Sequence, residues 1–308
     1  MRVAVVDIGT NSTRLLIADV DPGQGSVREL VRRSEVTRLG AGVDADGRLS
    51  DEASERTYRR LDEYAAAIAQ HDCEANLAVL TSAVREAANG AEFAERVREQ
   101  YHLDARVLSG DEEAQLTFLG AMTGRAAAVV PTVVIDIGGG STEFIIGVGR
   151  SAGFHTSLPV GVVRMSERHI HTDPPSPSEL QELAGDVREI LAAGLPADER
   201  APVKAAIAVA GTATQAASID QQLDPYDPER VHGYELLLAS VDAMLARLAL
   251  LKEDARREVV GLNPDRAPTI VAGTIVLGEA MRAFELDRVE VSEHDILHGG
   301  ALRLAGLG

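Results

Sequence analysis

The sequence predicts an α/β protein made of two similar halves, and three observations carry that prediction. Residues 133–147 read Val-Val-Ile-Asp-Ile-Gly-Gly-Gly-Ser-Thr-Glu-Phe-Ile-Ile-Gly, an apolar β-branched run, a polar glycine turn and a second apolar run. That is the pattern of strand, tight turn, strand. The N-terminus repeats it: Val3-Ala4-Val5-Val6 leads into Asp7-Ile8-Gly9-Thr10-Asn11-Ser12-Thr13 and then Leu15-Leu16-Ile17-Ala18, so both copies read D-I-G-x-x-S-T. A repeat over such a span points to two related half-molecules, each offering one polar hairpin. Finally, the short apolar runs 75–80 and 205–210 each pass through small or hydroxylic residues into a helical pattern, the strand-to-helix unit of α/β proteins.

Composition sets the bounds. A chain of 308 residues can hold two domains, and 45% hydrophobic with 25% charged residues is ordinary for a globular protein. No run approaches the ~18 apolar residues of a membrane span, and the N-terminus enters a strand at once, so the cytoplasm is the expected location. Cys73 is the only cysteine, which excludes an intrachain disulfide. A net charge of −18 argues against DNA, RNA or an anionic membrane as partner. Any phosphate site must then be a local basic island. Its cations would be arginines, since lysine occurs only at Lys204 and Lys252.

In chain order, residues 27–40 alternate as a third strand of the first meander. Ser50 reads as the N-cap of a helix to about residue 70, with Tyr58, Leu61, Ala65 and Ile68 at helical spacing. Arg28, Arg32, Arg33, Arg38, Arg48, Arg56, Arg59 and Arg60 read mainly as a solvated face. After the strand 75–80, Thr81-Ser82-Ala83-Val84-Arg85 opens a helix and places Arg85 in its first turn, at the strand end where α/β proteins bind anions. A short strand at 105–108 precedes Ser109-Gly110-Asp111-Glu112-Glu113. Ser109 and Glu112 have the S-x-x-E spacing of a capping box, which gives Glu112 a structural role; Glu113 is not required by the box and by sequence alone reads as a complement to the helix dipole.

Thr123-Gly124-Arg125-Ala126-Ala127-Ala128 is the expected boundary, giving domains 1–124 and 125–308, with the last helix packing back on the first. Beyond the second hairpin, residues 153–156 and 158–163 read as strand. Ser176 or Ser178 starts an amphipathic helix to about Ala193, and Gly211-Thr212-Ala213-Thr214 is another small, hydroxylic strand end. The remainder reads as helices at 234–251 and 255–262, a strand or helix start at 269–271, and a last helix over 292–304.

The chemistry concentrates in the two hairpins. Gly138, Gly139 and Gly140 lack Cβ atoms, so the turn is free to take positive φ and let an anion approach its N–H groups, with Ser141 and Thr142 adding hydroxyls. Asp136 and Glu143, at its two ends, are the hard oxygen ligands that Mg²⁺ on a phosphate takes. His294-Asp295-Ile296-Leu297-His298 differs from the zinc pattern H-E-x-x-H in its middle acid and shows no third ligand, so it reads as non-metal. There is no G-x-x-x-x-G-K-[ST], no dinucleotide fingerprint and no G-x-S-x-G, which excludes P-loop, Rossmann and esterase-elbow chemistry.

Together, Asp7-Ile-Gly-Thr-Asn-Ser, Thr81-Ser-Ala-Val-Arg-Glu-Ala, Ser109-Gly-Asp-Glu-Glu-Ala, Asp136-Ile-Gly-Gly-Gly-Ser-Thr-Glu, Gly161-Val-Val-Arg and Gly211-Thr-Ala-Thr resemble the exopolyphosphatase/guanosine pentaphosphate phosphohydrolase (Ppx/GppA) family, in the family's order. The resemblance implies two ribonuclease-H-like domains of the actin, sugar-kinase and heat-shock ATPase superfamily around an interdomain cleft. It implies removal of terminal phosphate from inorganic polyphosphate, the alternative being guanosine pentaphosphate (pppGpp). An ATP-using kinase-like or actin-like protein and a non-catalytic alarmone sensor are the more distant readings.

By the same resemblance Glu113 is the base acting on water. Asp136, Glu143 and Asp7 are the carboxylates facing Mg²⁺ or Mn²⁺, and Gly9, Thr10, Asn11, Ser12, Arg85, Gly138, Gly139, Gly140, Ser141 and Thr142 hold phosphate. A homodimer is implied as well. Longer members carry a helical C-terminal extension, which makes short polyphosphates the expected substrates of this chain. Some members place a cysteine after the glycine matching Gly161, where Val162 stands here.

Overall fold

Two sheets organise the chain. The computed structural model describes residues 1–124, 130–149 and 151–307. The chain divides into a first unit, Met1–Ala126 with His294–Gly308, and a second, Ala127–Glu293. Residues 125–128 of the expected boundary segment lie outside the described residues.

The first unit is built on β1 (Arg2–Ile8), β2 (Ser12–Asp21), β3 (Ser26–Val36), β4 (Ala75–Leu80) and β5 (Ala105–Val107), in the order β3-β2-β1-β4-β5. The first three form an antiparallel meander, and β4 and β5 run parallel to β1. Because successive side chains point to opposite faces of a strand, β1 feeds two cores. Ala4, Val6 and Ile8, with Leu15 and Ile17, pack on Leu61 and Tyr64 of the helix Asp51–Gln70. Val3 and Val5, with Leu16 and Ala18, pack on Leu297, Ala301 and Leu302 of the last helix, Ile296–Leu304. Ser50 caps the first of these helices through its bond from Ala53 N, and the Ser109–Glu112 capping box opens the helix Gly110–Ala121. Four of the eight arginines between Arg28 and Arg60 pair with nearby acids, Arg28 with Asp19, Arg32 with Glu29, Arg56 with Glu52 and Arg60 with Glu63.

The second unit holds β6 (Thr132–Ile137), β7 (Thr142–Val148), β8 (Ser151–Leu158), β9 (Ala205–Val209), β10 (Glu235–Leu237) and β11 (Arg288–Val291), in the order β10-β11-β9-β6-β7-β8. Leaving out the edge strand β10, this is the order of the first sheet, with the same antiparallel meander (β6, β7, β8) and two parallel additions (β9, β11). The sequence repeat is therefore a repeat of ribonuclease-H-like sheets. The apolar helix Ile270–Ala283 is buried along nearly its whole length against this unit's core.

Three readings of the sequence are corrected. Residues 158–163 are not strand throughout: β8 ends at Leu158, and Val162–His169 is a helix whose first N–H groups bond the glycine turn. The helix expected from 234 begins only at Leu238, after β10. The one expected from 292 begins at Ile296, after β11, whose Arg-Val-Glu-Val is too short for its alternation to stand out. Among the described residues no helix is long and apolar enough to cross a membrane.

The last helix crosses the helix Gly110–Ala121 at backbone contact distance. A Cβ on Gly120 would lie 1.8 Å from the Asp295 carbonyl oxygen, and one on Gly299 would lie 1.9 Å from that of Leu116. Gly120→Ala is expected to destabilise the protein by about 3 kcal/mol through overpacking. Gly185→Ala, in the helix Pro177–Gly194 with nothing within 4 Å of the added atom, should stabilise it by roughly 0.5–1 kcal/mol. Urea unfolding of both variants checks the contrast, and equal effects would contradict it.

Candidate active site

The two hairpin turns have the same construction. Gly9 N donates to Ser12 O at 3.0 Å, and Gly138 N donates to Ser141 O at 3.0 Å. Each bond closes a two-residue turn. Among the described residues no acceptor takes the N–H of Thr10, Asn11, Gly139 or Gly140, so each turn presents two consecutive amides, a ready site for an anion. The expectation of positive φ is not met at Gly9 or at Gly138 to Gly140. The glycines serve close approach instead. Val162 N bonds Gly138 O and Val163 N bonds Gly139 O, both at 2.9 Å, so the turn's carbonyls face the start of the helix Val162–His169. A Cβ on Gly161 would meet Gly139 O at 2.3 Å.

Not every hydroxyl in the motif is available. Thr142 is fully buried and donates to Val160 O at 3.0 Å, and Thr13, its counterpart, is buried in a bond to Thr37 Oγ1 at 2.9 Å. Both threonines hold their turns in place, and the Thr142 hydroxyl, expected at phosphate, is here turned to Val160. Ser141 Oγ and Ser157 Oγ each donate to Glu143 Oε1 at 2.7 Å, which fixes that nearly buried carboxylate.

The charges below the two turns differ. In the second unit Asp136 stands directly opposite Glu143 across β6 and β7. Two carboxylates in that relation repel unless a cation or proton joins them. In the first unit the same position pairs Asp7 with Arg14 across β1 and β2. Arg14 Nε and NH2 reach Asp7 Oδ2 at 2.8 and 2.7 Å, while its NH1 reaches Asp295 Oδ2. Both carboxylates are buried. Burial pushes the Asp7 carboxyl up, against the pull of Arg14, and Asp295 adds repulsion. Burial opposes the charge on Asp295 as well, but Arg14 foremost, with Arg32, His298 and the Leu297 N–H, holds it below the usual carboxylate range.

The remaining expected residues of the first unit form one connected row. Thr10 Oγ1 and Ser82 Oγ share a 2.9 Å hydrogen bond, tying the turn to the start of the helix Ser82–Glu86. At the end of that helix, Arg85 NH1 donates to Leu108 O and to Glu113 Oε2, both at 2.9 Å. Glu113 is 8% exposed, set in the first turn of its helix by the Ser109 cap. A guanidinium has five donors, so Arg85 keeps capacity for an anion while it orients Glu113. Ser82 and Arg14 were not singled out from sequence, and Asp295 was read there only as the middle acid of the His294–His298 pattern. Arg14 had a signal, since it follows Asp7 at the spacing by which Glu143 follows Asp136. In the second unit Gly211 lies in the first turn of the helix Ala210–Gln221, where a Cβ would meet the Arg266 guanidinium at 2.0 Å; its smallness is used for packing.

The model of the Ppx/GppA phosphatase family matches residues 16–305. Exopolyphosphatase 2 of Mycobacterium tuberculosis is 37% identical, over 99% of this chain and 99% of that protein. Among solved structures, an exopolyphosphatase from Cytophaga hutchinsonii superposes with a TM-score of 0.89 at 25% identity, covering 100% of this chain and 99% of the other. A Ppx/GppA family member from Aquifex aeolicus superposes with a TM-score of 0.84 at 30% identity, covering 100% and 99%.

Removing the shared cation of Asp7 and Asp295 takes away the main counter-charge of two buried carboxylates. Arg14→Leu is expected to lower the unfolding free energy at pH 7 by about 3–5 kcal/mol. Urea denaturation measures it, and a loss below about 1 kcal/mol would dismiss the triad as a structural element.

Proposed function

The chain belongs to the Ppx/GppA phosphatase family, and we propose that it is an exopolyphosphatase, a phosphoric anhydride hydrolase releasing terminal orthophosphate from inorganic polyphosphate. The observation that carries this reading is the pair of matched turns, each with two unclaimed amides beside hydroxyls. Each such turn suits a phosphate group, and the full-length likeness to Exopolyphosphatase 2 supports polyphosphate as the substrate.

Glu113 is the proposed base, taking a proton from the attacking water as it adds to the terminal phosphorus. Arg85 orients it and offers its remaining N–H groups to phosphate oxygens. Phosphoryl transfer asks mainly for positioning and charge neutralisation, and donors of that kind are the amides of Thr10 and Asn11 with the Ser12 hydroxyl in the first unit and the amides of Gly139 and Gly140 in the second. The opposed Asp136 and Glu143 fit a divalent cation: they are hard oxygen donors in a repulsive pair, one of them braced by two serines. Mg²⁺ or Mn²⁺ held there would neutralise charge on the phosphate oxygens. Asp7, the third carboxylate proposed for the metal, already has Arg14, so its share is the smaller.

Glu113→Gln should keep polyphosphate binding and lose about 10³-fold in phosphate release, the scale of general-base catalysis. Release assays on polyphosphate and pppGpp side by side, with binding measured separately, decide it. Undiminished turnover would remove Glu113 from the chemistry, and release from pppGpp alone would replace the substrate. Chelation should abolish release and added Mg²⁺ or Mn²⁺ restore it. Glu143→Gln should raise the metal concentration needed for half-maximal rate, and an unchanged requirement would move the metal elsewhere.

A further inference from the structure

His294 and His298 flank the start of the last helix. The structure brings a third ligand to them that sequence spacing does not contain, Glu29 of β3. The three side chains each offer one ligand atom, all within 4.8 Å of one another. The two imidazole rings stack with centroids 4.0 Å apart. His298 is fully buried; its Nε2 faces Glu29 Oε1 at 3.1 Å as an ion-pair contact, and among the described residues its Nδ1 has no hydrogen-bond partner. A buried imidazole left in that condition is destabilising unless something else engages it.

We propose that Glu29, His294 and His298 bind one zinc ion, at a site separate from the phosphate chemistry. Two imidazole nitrogens and one carboxylate oxygen are a donor set for zinc, and a poor one for Mg²⁺, which prefers oxygens alone. Bonds of about 2.0–2.1 Å in a tetrahedron put ligand atoms roughly 3.3 Å apart, close to the spacing of His298 Nε2 and Glu29 Oε1. The fourth position falls to water. Arg32 NH1, 3.5 Å from the same Glu29 oxygen, competes with the ion, and a side chain 24% exposed has room to turn to solvent.

The site is structural and not hydrolytic. Asp295 occupies the place of the catalytic acid in H-E-x-x-H, yet it is 1% exposed and committed to Arg14 and to the Leu297 N–H. Zinc here would clamp the start of the last helix to β3, and through Asp295 it would steady Arg14 and Asp7.

The test uses full-length protein stripped with chelator and then titrated with zinc by calorimetry, with Co²⁺ absorption as a probe of tetrahedral geometry. One equivalent is expected to bind at micromolar zinc or below, with a rise in melting temperature. His294→Ala and Glu29→Gln, both outside the fully buried core, should fold and weaken that binding by about tenfold or more. Glu143→Gln should leave it intact. Zinc binding that is absent, or equal in the wild type and both ligand variants, overturns the proposal. None of these readouts involves polyphosphate, so failure here leaves the hydrolase reading standing, and the reverse.

Discussion

A single guanidinium, that of Arg14, stands between two buried carboxylates, and the first unit depends on it. Asp7 is on β1, Arg14 on β2, and Asp295 lies 281 positions beyond Arg14. Without the arginine each carboxylate would face the desolvation penalty of an uncompensated buried charge. With it, the opening hairpin and the returning end of the chain are joined at the base of the turn that presents Thr10 and Asn11. The second unit has the same strands and the same turn but Glu143 in the arginine's place. Across the paired strands the first unit therefore sets an arginine against its aspartate, and the second sets a carboxylate against a carboxylate. That asymmetry supports the cation site proposed at Asp136 and Glu143.

Glycine acts in these turns by being small. The carbonyls of Gly138 and Gly139 accept the leading N–H groups of the helix Val162–His169, which would otherwise be unsatisfied. Turning the carbonyls that way leaves the amides of Gly139 and Gly140 for an anion. Gly161 must also lack a side chain, because the turn's backbone occupies the volume its Cβ would fill.

Local patterns were legible in the sequence. The two hairpins, β4, the Ser50 cap and the Ser109–Glu112 capping box are each fixed by residues within a few positions of one another. What depended on distant partners was not. The apolar stretch through Val163 reads as strand until the glycine turn is seen to accept its N–H groups. The short β10 and β11 exist because a sheet edge is there to pair with. Thr142 looks like a ligand until its hydroxyl is found bonded to Val160. His294 and His298 lacked a third ligand because Glu29 comes from β3, at the other end of the chain.

The first unit is discontinuous in sequence, and this shapes how it is made. As the ribosome extends the chain, β1, β2 and β4 can pair early, yet the face bearing Val3, Val5, Leu16 and Ala18 has no cover until Leu297, Ala301 and Leu302 emerge. Through the synthesis of the whole intervening unit that oily surface stays open to other nascent chains. A chaperone that shields exposed strands should therefore matter most in the interval before the closing helix arrives.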